Sequence, residues 1–543
     1  MLDNKSGNNF VKMAMVLALA SLLSRFIGFI YLLPLTNMIG DDGNGIYSRA
    51  FSVYQFFIIL SSAGMPAAIS KLVAERASLG RHDEAHRVFH VALAIAVSFG
   101  AVCMCVLFFG AERLTGAINA PRSYYSLMTL SPTVFIVAII AIFRGYFQGL
   151  GTTVPTAVSQ VVEQIFNAVF SVVLAGAFMG LAAAHTDPAA FGAAGGTAGT
   201  GVGAVFGLFT IIIYYLLNRR SIRKKTRFSA IKNVTAKKES TRKLAWLIIR
   251  TAMPIIAGTA VLSFTNLIDA TMVTARLVSG GFSVSEADIM FGYLSKYSHV
   301  ITLPISIAAV FSLASIPSIS SSNAKKDAPA VESKINSALR MTMLICVPAA
   351  AGLLVLGSSI IAMLFRQFPE GGFLLQIGAA NVVFMALNQI LTGPLQATGY
   401  LKIPVLAALA GSFVKIAANQ FLIPLPFINI RGAVIGTSLC YITAASINWY
   451  WLKKKAGIRI QFKKLMLKPV LSSVIMGVLC FAIYRGSTLI GLGNTVSTLC
   501  AIAAGFAAYL FFMVKFRGLE KDDIRLLPYG KKITSALERR NLL

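Results

Sequence analysis

Acidic residues are scarce. The 543 residues hold 20 Asp and Glu against 49 Lys and Arg, and only 13% of the chain is charged. With 56% of its residues hydrophobic, a soluble protein of this length could not hide its apolar surface. Cysteine is sparse too. Cys103, Cys105, Cys346, Cys440, Cys480 and Cys500 lie in or beside apolar runs. Cys103 and Cys105 are two apart on a helix and point apart, so neither a disulfide framework nor a metal site follows. No Walker motif is present, which excludes ATP hydrolysis by the chain itself. No nucleophile or metal-ligand constellation stands out, so the chain reads as a non-enzyme without a cofactor. The net charge of +29 would suit nucleic acid, but Lys and Arg cluster in alternate loops, which marks topology instead.

What the sequence has is long apolar runs, about 20 residues each, the length a helix needs to cross a hydrocarbon core. In lipid the backbone must satisfy its own hydrogen bonds, so runs this long must be helical. The expected fold is an all-α polytopic membrane protein with fourteen transmembrane helices. The spans run 11–37, 46–71, 87–110, 123–149, 154–181, 190–217, 244–276, 287–314, 337–365, 372–398, 403–425, 431–452, 468–489 and 493–515. Ala18-Leu19-Ala20 resembles a signal-cleavage site, but the apolar run continues through Leu35, so the first segment is read as a span. Loops after even spans are basic. The second carries Lys71, Arg76, Arg81 and Arg87, and the sixth, 218–243, carries eleven Lys and Arg. Loops after odd spans are poor in both, and the first has Asp41-Asp42. Both termini are therefore expected in the cytoplasm.

Punctuation repeats along the chain. Gly145-x-x-Gln148-x-x-Gly151 returns as Gly393-x-x-Gln396-x-x-Gly399, with Pro155 and Pro404 just after. Gly and Pro at matched offsets mark a repeated turn between two helices. Met65-Pro66 pairs with Ile316-Pro317, and Tyr214-Tyr215-Leu216 with Tyr450-Trp451-Leu452. The expected architecture is two six-helix pseudo-repeat lobes around a central cavity, plus two extra C-terminal helices. The boundaries are an N-lobe at 1–217, a basic cytoplasmic linker at 218–243 and a C-lobe at 244–452. Spans thirteen and fourteen with their basic loop follow at 453–515, then a cytoplasmic tail at 516–543. The linker's charge would also suit anionic lipid headgroups.

An ionisable side chain inside a membrane is a candidate for function, because its burial is costly. Arg25 lies about 14 residues into span one, roughly 20 Å at helical rise, too deep for easy snorkelling. Its guanidinium suits a bidentate phosphate. Span five carries a polar stripe, Thr156, Gln160, Glu163, Asn167 and Ser171, and span two has Arg49 and Gln55. Later spans add Asn266, Asp269, Lys296, His299, Asn388 and Lys415. His299 would serve as a proton-linked switch. These polar residues either line a cavity or join helices. Glu163 and Asp269 either pair with Arg25 or Lys296 or contact substrate. The excess of buried cations over acids favours an anionic substrate such as a pyrophosphate.

Three segments carry a family resemblance: Ser24-Arg25-Phe26-Ile27-Gly28, Gly64-Met65-Pro66-Ala67-Ala68-Ile69-Ser70-Lys71, and Arg144 to Gly149 with Pro155 to Gln164. In them the chain resembles the multidrug/oligosaccharidyl-lipid/polysaccharide exporter superfamily. The closer likeness is to its polysaccharide-biosynthesis branch, with the stage V sporulation protein B, YtgP and MurJ-type lipid II flippases. The resemblance implies a V-shaped pair of lobes around a cationic cavity, and a groove for a polyprenyl tail formed by spans thirteen and fourteen. It implies flipping of an undecaprenyl-pyrophosphate-linked peptidoglycan precursor, or a related lipid-linked oligosaccharide, across the bacterial cytoplasmic membrane. Arg25 matches the first-span arginine of lipid II flippases; the second arginine expected six residues on is Tyr31 here. Coupling to the membrane potential or a monovalent cation stays open. The implied partners are the lipid-linked glycan, membrane lipids and wall-synthesis or division proteins. The alternatives are a cation-coupled multidrug exporter and a non-transporting scaffold for wall synthesis or division.

Overall fold

The computed structural model describes residues 2–182, 187–232, 239–325, 327–456, 462–516 and 518. Among them there is no strand. The helices are α1 (Leu2–Ile58), α2 (Met65–Ser78), α3 (His82–Phe109), α4 (Ala111–Ala117), α5 (Tyr124–Gly149), α6 (Val154–Ala182), α7 (Pro188–Lys232) and α8 (Thr241–Ser279). Then come α9 (Val284–Ala324), α10 (Ala328–Leu364), α11 (Gly372–Ile377), α12 (Asn381–Ala397), α13 (Lys402–Leu422), α14 (Arg431–Ala456), α15 (Phe462–Leu489) and α16 (Asn494–Lys515). The predicted apolar runs fall mostly on helical chain; the tenth, 372–398, is broken between α11 and α12. Nine helical stretches among the described residues are long and apolar enough to cross a membrane. The first, Leu19–Ser78, covers two predicted spans. It bends at Gly40, whose φ of 74° is closed to most other residues.

The matched turns share one geometry. After α5, Thr152 N–H donates to Phe147 O at 3.0 Å and Gly151 has φ 80°. After α12, Tyr400 N–H donates to Leu395 O at 2.8 Å and Gly399 has φ 91°. Both are left-handed glycine caps that close the helix with a six-to-one bond. Gly145 has a different reason: a Cβ there would lie 2.8 Å from Pro66 Cα, so it lets α5 and α2 touch.

The chain divides into two compact units, Met1–Ala275 with Ser283–Gly292, and Arg276–Phe282 with Tyr293–Leu543. The first extends past the basic linker to take in most of α8, where the sequence places the lobe boundary at 217. The linker's first part is helix, because α7 continues to Lys232; residues 233–238 lie outside the described set. In the first unit, α2, α3, α5 and α8 share an apolar core built on Ile69, Val73, Phe89, Ile142, Tyr146 and Ile248. In the second, α15 and α16 pack on α10 through Leu356, Met476, Cys480, Ala501 and Tyr509. The tail beyond 518 is outside the described residues.

Helices α6 and α7 meet through small residues. A side chain at Gly199 would overlap Ser171, and at Gly203 a Cβ would lie 2.6 Å from Glu163 O. This small-residue spacing lets two backbones approach in a medium that offers no hydrophobic drive. Replacing Gly203 with Leu forces α6 and α7 apart, at more than the ~1–3 kcal/mol usual for overpacking. The expected outcome is loss of the monodisperse peak in size-exclusion chromatography of the solubilised protein. Gly180→Leu, at a position with open space around it, is expected to keep that peak.

Candidate functional site

Charge in the first unit concentrates where the odd-numbered loops meet. The Arg122 guanidinium forks onto two carboxylates at once. It donates to Asp42 Oδ1 and Oδ2 at 2.6 and 2.7 Å, and to both Asp187 oxygens at 2.8 Å. Asp288 Oδ2 stands 3.4 Å away. Asp187 is also the cap of α7, accepting from Ala190 N–H at 3.2 Å, with Pro188 at the first helical position. Arg49 is fully buried and paired with Asp288. It also donates to Thr274 Oγ1 at 3.2 Å and to the Asn119 carbonyl at 3.1 Å. Asn44 Nδ2 donates to Gly292 O at 3.1 Å. Gly45 and Gly292 bring backbone against backbone, since a side chain on either would overlap the carbonyl of Asp288 or Asp41. The start of α9 is thus seated among α1, α8 and the residue 119–122 turn.

The structure places Arg49, a candidate cavity residue in the sequence, in this buried ion pair with Asp288. The sequence showed Arg49 with Gln55 on span two and could not show Asp288, 239 positions later. Arg122, Asp187 and Asp288 were missed. The available signal was a lone acid near several of the odd-numbered turns, in a chain poor in acids.

Glu163 has a partner other than the two expected. Arg144 Nη2 donates to its Oε2 at 2.7 Å, and Arg144 Nε to Ser159 Oγ at 3.2 Å. Asn167 is buried and accepts from Ser171, whose hydroxyl also lies 2.8 Å from Gly196 O on α7. Gln160 meets Ser21 of α1 at 3.5 Å. The span-five stripe therefore joins α6 to α5, α7 and α1. Arg25 is exposed on α1, and Gln55 is exposed on its second half. Asp269 is half-buried on α8. The side chain of Asn266 lies outside the described residues.

In the second unit Lys296 is buried, donating to Phe368 O at 2.8 Å, with the Tyr293 and Phe365 rings 5.2 and 5.5 Å from its ammonium. That is a cation held by a carbonyl and π faces. Lys415 is buried on α13, and His299 is half-buried on α9. Asn388 accepts from Asn448 Nδ2 at 3.0 Å, which ties α12 to α14. Of the three deep cations predicted, Lys296 and Lys415 are buried and Arg25 is exposed. Among the described residues, no group of three or more His, Cys, Asp or Glu could hold a metal ion.

A family model described as polysaccharide biosynthesis protein matches residues 10–323. The chain belongs to that family. It is 26% identical over 536 residues to the uncharacterized membrane protein YabM of Bacillus subtilis (strain 168), covering 97% of this chain and 96% of that one. It is 24% identical over 542 residues to lipid II flippase MurJ of the same organism, covering 94% and 96%. A solved lipid II flippase MurJ, in an inward closed conformation, shares the fold with TM-score 0.70, covering 92% of this chain and 98% of that one at 18% identity. An inward-facing multidrug resistance MATE family transporter aligns with TM-score 0.66 over 83% of this chain and 98% of that one, at 14% identity. The family member described here is a multi-pass membrane protein of the MurJ and MATE fold.

The Arg122 fork makes one region of the protein acid-sensitive. The hydrogen bonds from Arg122 hold the Asp187 carboxyl below its ordinary value of 3.8. A carboxylate held low stabilises the fold above its ordinary pKa, and that support is lost as pH falls through the folded value. Arg122→Ala is expected to cost about 2 kcal/mol or more at pH 7 by leaving carboxylates unmatched. Thermal melting of the detergent-solubilised protein between pH 7 and 3 checks this. The variant should melt lower at pH 7 and show a shallower fall below pH 3.8 than the parent.

Proposed function

We propose that this protein moves a polyprenyl-pyrophosphate-linked glycan across the membrane by alternating access, with the peptidoglycan precursor lipid II as first candidate substrate. The observation that carries this is the near end-to-end match, in sequence and in fold, to lipid II flippase MurJ. The MATE transporter aligns over less of the chain. The excess is what two further helices, α15 and α16, would supply. Leu467, Val474, Val478 and Phe481 on α15 are exposed and apolar, as a surface for a polyprenyl tail requires. The likeness to a multidrug transporter favours drug export as a second reading, but the cationic bias of the buried charge suits an anion better.

The same proposal carries fourteen spans in two six-span lobes, with both termini in the cytoplasm of a bacterial cell. Arg25 would hold the pyrophosphate by its two-pronged guanidinium. Lys296 and Lys415 are the further candidates for that role. The membrane potential or a monovalent cation would supply the drive, without a bound cofactor.

The test is a strain depleted of the native protein and supplied with variants. Arg25→Ala should abolish growth support at normal protein level. Arg25→Lys, which keeps the charge but loses the fork, should restore it only in part. In the depleted strain lipid II should accumulate in the inner leaflet. Full complementation by Arg25→Ala would remove the role assigned to it, and drug sensitivity without a wall phenotype would favour export of drugs.

A further inference from the structure

Helix α7 does not stop where its apolar run ends. Tyr214, Tyr215, Leu216 and Leu217 give way to Asn218, Arg219 and Arg220, and the helix continues to Lys232. The change from aromatic and aliphatic to basic residues is the pattern of a membrane–water boundary. The overhang is held in place. Ser229 Oγ lies 2.8 Å from both Gly80 O and Asp83 Oδ1, at the turn between α2 and α3.

Under this strut lies a cavity of about 220 Å³. Its wall includes His82 at the start of α3, Tyr146 near the end of α5, Thr152 in the following turn, and Tyr214, Asn218 and Ser221 of α7. All belong to the first unit. Tyr146 is engaged with His86, and Asn218 gives its amide donor to Tyr214 O at 2.9 Å. Among the described residues, His82, Thr152, Tyr214 and Ser221 make no side-chain hydrogen bond to another protein group. These side chains are partly or fully exposed and not committed to protein partners, so they can offer hydrogen bonds to a ligand in the cavity. Arg219, Arg220, Arg223 and Lys224 stand exposed on the adjoining turns of α7. Leu217 on α7 and Leu79, just past the end of α2, are 77% and 66% exposed.

We propose that this cavity is a binding site for the phosphate headgroup of an acidic phospholipid from the leaflet at the basic end of the protein. The headgroup enters among the hydroxyls, the basic turns of α7 neutralise its charge, and its acyl chains lie on the apolar helix surface below. Position at the boundary and apolar flanks on both sides favour a lipid over a free phosphate. The site is separate from Arg25 and does not depend on what the protein transports.

The experiment uses the full-length protein in a neutral detergent, with phosphatidylglycerol, phosphatidylcholine or inorganic phosphate as probe. Readouts are native mass spectrometry and thermal melting. Phosphatidylglycerol should bind one to one and raise the melting temperature; the other two should not. Ser221→Trp, which fills the cavity from an exposed helix position, should abolish that response while keeping the lipid-free melting temperature. Removing nearby charges of α7 one at a time, Arg219→Gln and Arg223→Gln, should weaken binding by roughly fivefold each. Tyr214→Phe, which removes only a hydroxyl, should weaken it too, and covers the case in which the Trp variant fails to fold. Lys453→Gln, at the basic end of α14, should leave binding unchanged. Equal stabilisation by phosphatidylcholine, an undiminished response in Tyr214→Phe together with a folded Ser221→Trp, or a response that follows Lys453 would each overturn the proposal. Full stabilisation by millimolar inorganic phosphate would overturn the lipid assignment.

Discussion

A guanidinium drawn out of water must take its counter-charge along, and in this protein that constraint organises one whole end of the first unit. Arg49 is fully buried. An unpaired charge there would be strongly destabilising. Asp288 answers it from the start of α9, and Arg122 binds the remaining carboxylates into the same cluster. One network therefore ties together the bend after Gly40, the turn before α5, the cap of α7 and the tip of α9. The scarcity of acids becomes intelligible on this basis. Three of the acids that the chain places in these turns, Asp42, Asp187 and Asp288, are matched closely to two arginines.

The positions of the helices were legible in the sequence because the bilayer imposes a length and forbids unsatisfied backbone. The turn after α5 and its counterpart after α12 were legible because a left-handed cap asks for glycine. The ends of the helices were less so. Apolar periodicity stops at the membrane surface, whereas Asn218 to Lys232 are mostly good helix formers in water and extend α7 well beyond it. Helix α10 starts at Ala328, ahead of the predicted 337, where Asp327 accepts from Ala330 N–H. The boundary between compact units fell near the end of α8 for a similar reason. The basic loop marks a side of the membrane and says nothing about which apolar faces match.

The candidate site was legible in part. Deep arginine and lysine residues announce themselves by the cost of their burial, and Arg25, Arg49, Lys296 and Lys415 were all visible. Their partners were not. Arg144 reaches Glu163 across the α5–α6 hairpin, and Lys296 reaches a main-chain carbonyl, which no pattern of residue types reveals. The polar stripe of α6 shows the same ambiguity resolved. Its spacing fits a cavity wall or a helix joint equally well, and the glycines of α7 decide for the joint. Arg25, an exposed residue of α1, is the one the functional reading uses.

The central claim is transport of a pyrophosphate-linked lipid by this chain alone, and reconstitution tests it most directly. Purified protein would be incorporated into sealed vesicles carrying fluorescent lipid II in both leaflets, and the fraction open to a membrane-impermeant modifying enzyme added outside would be followed over time. The account predicts that the protected inner half becomes accessible with the parent protein and stays protected with Arg25→Ala. A protected fraction that persists with well-incorporated parent protein, under every membrane potential and monovalent-cation gradient applied, would contradict it.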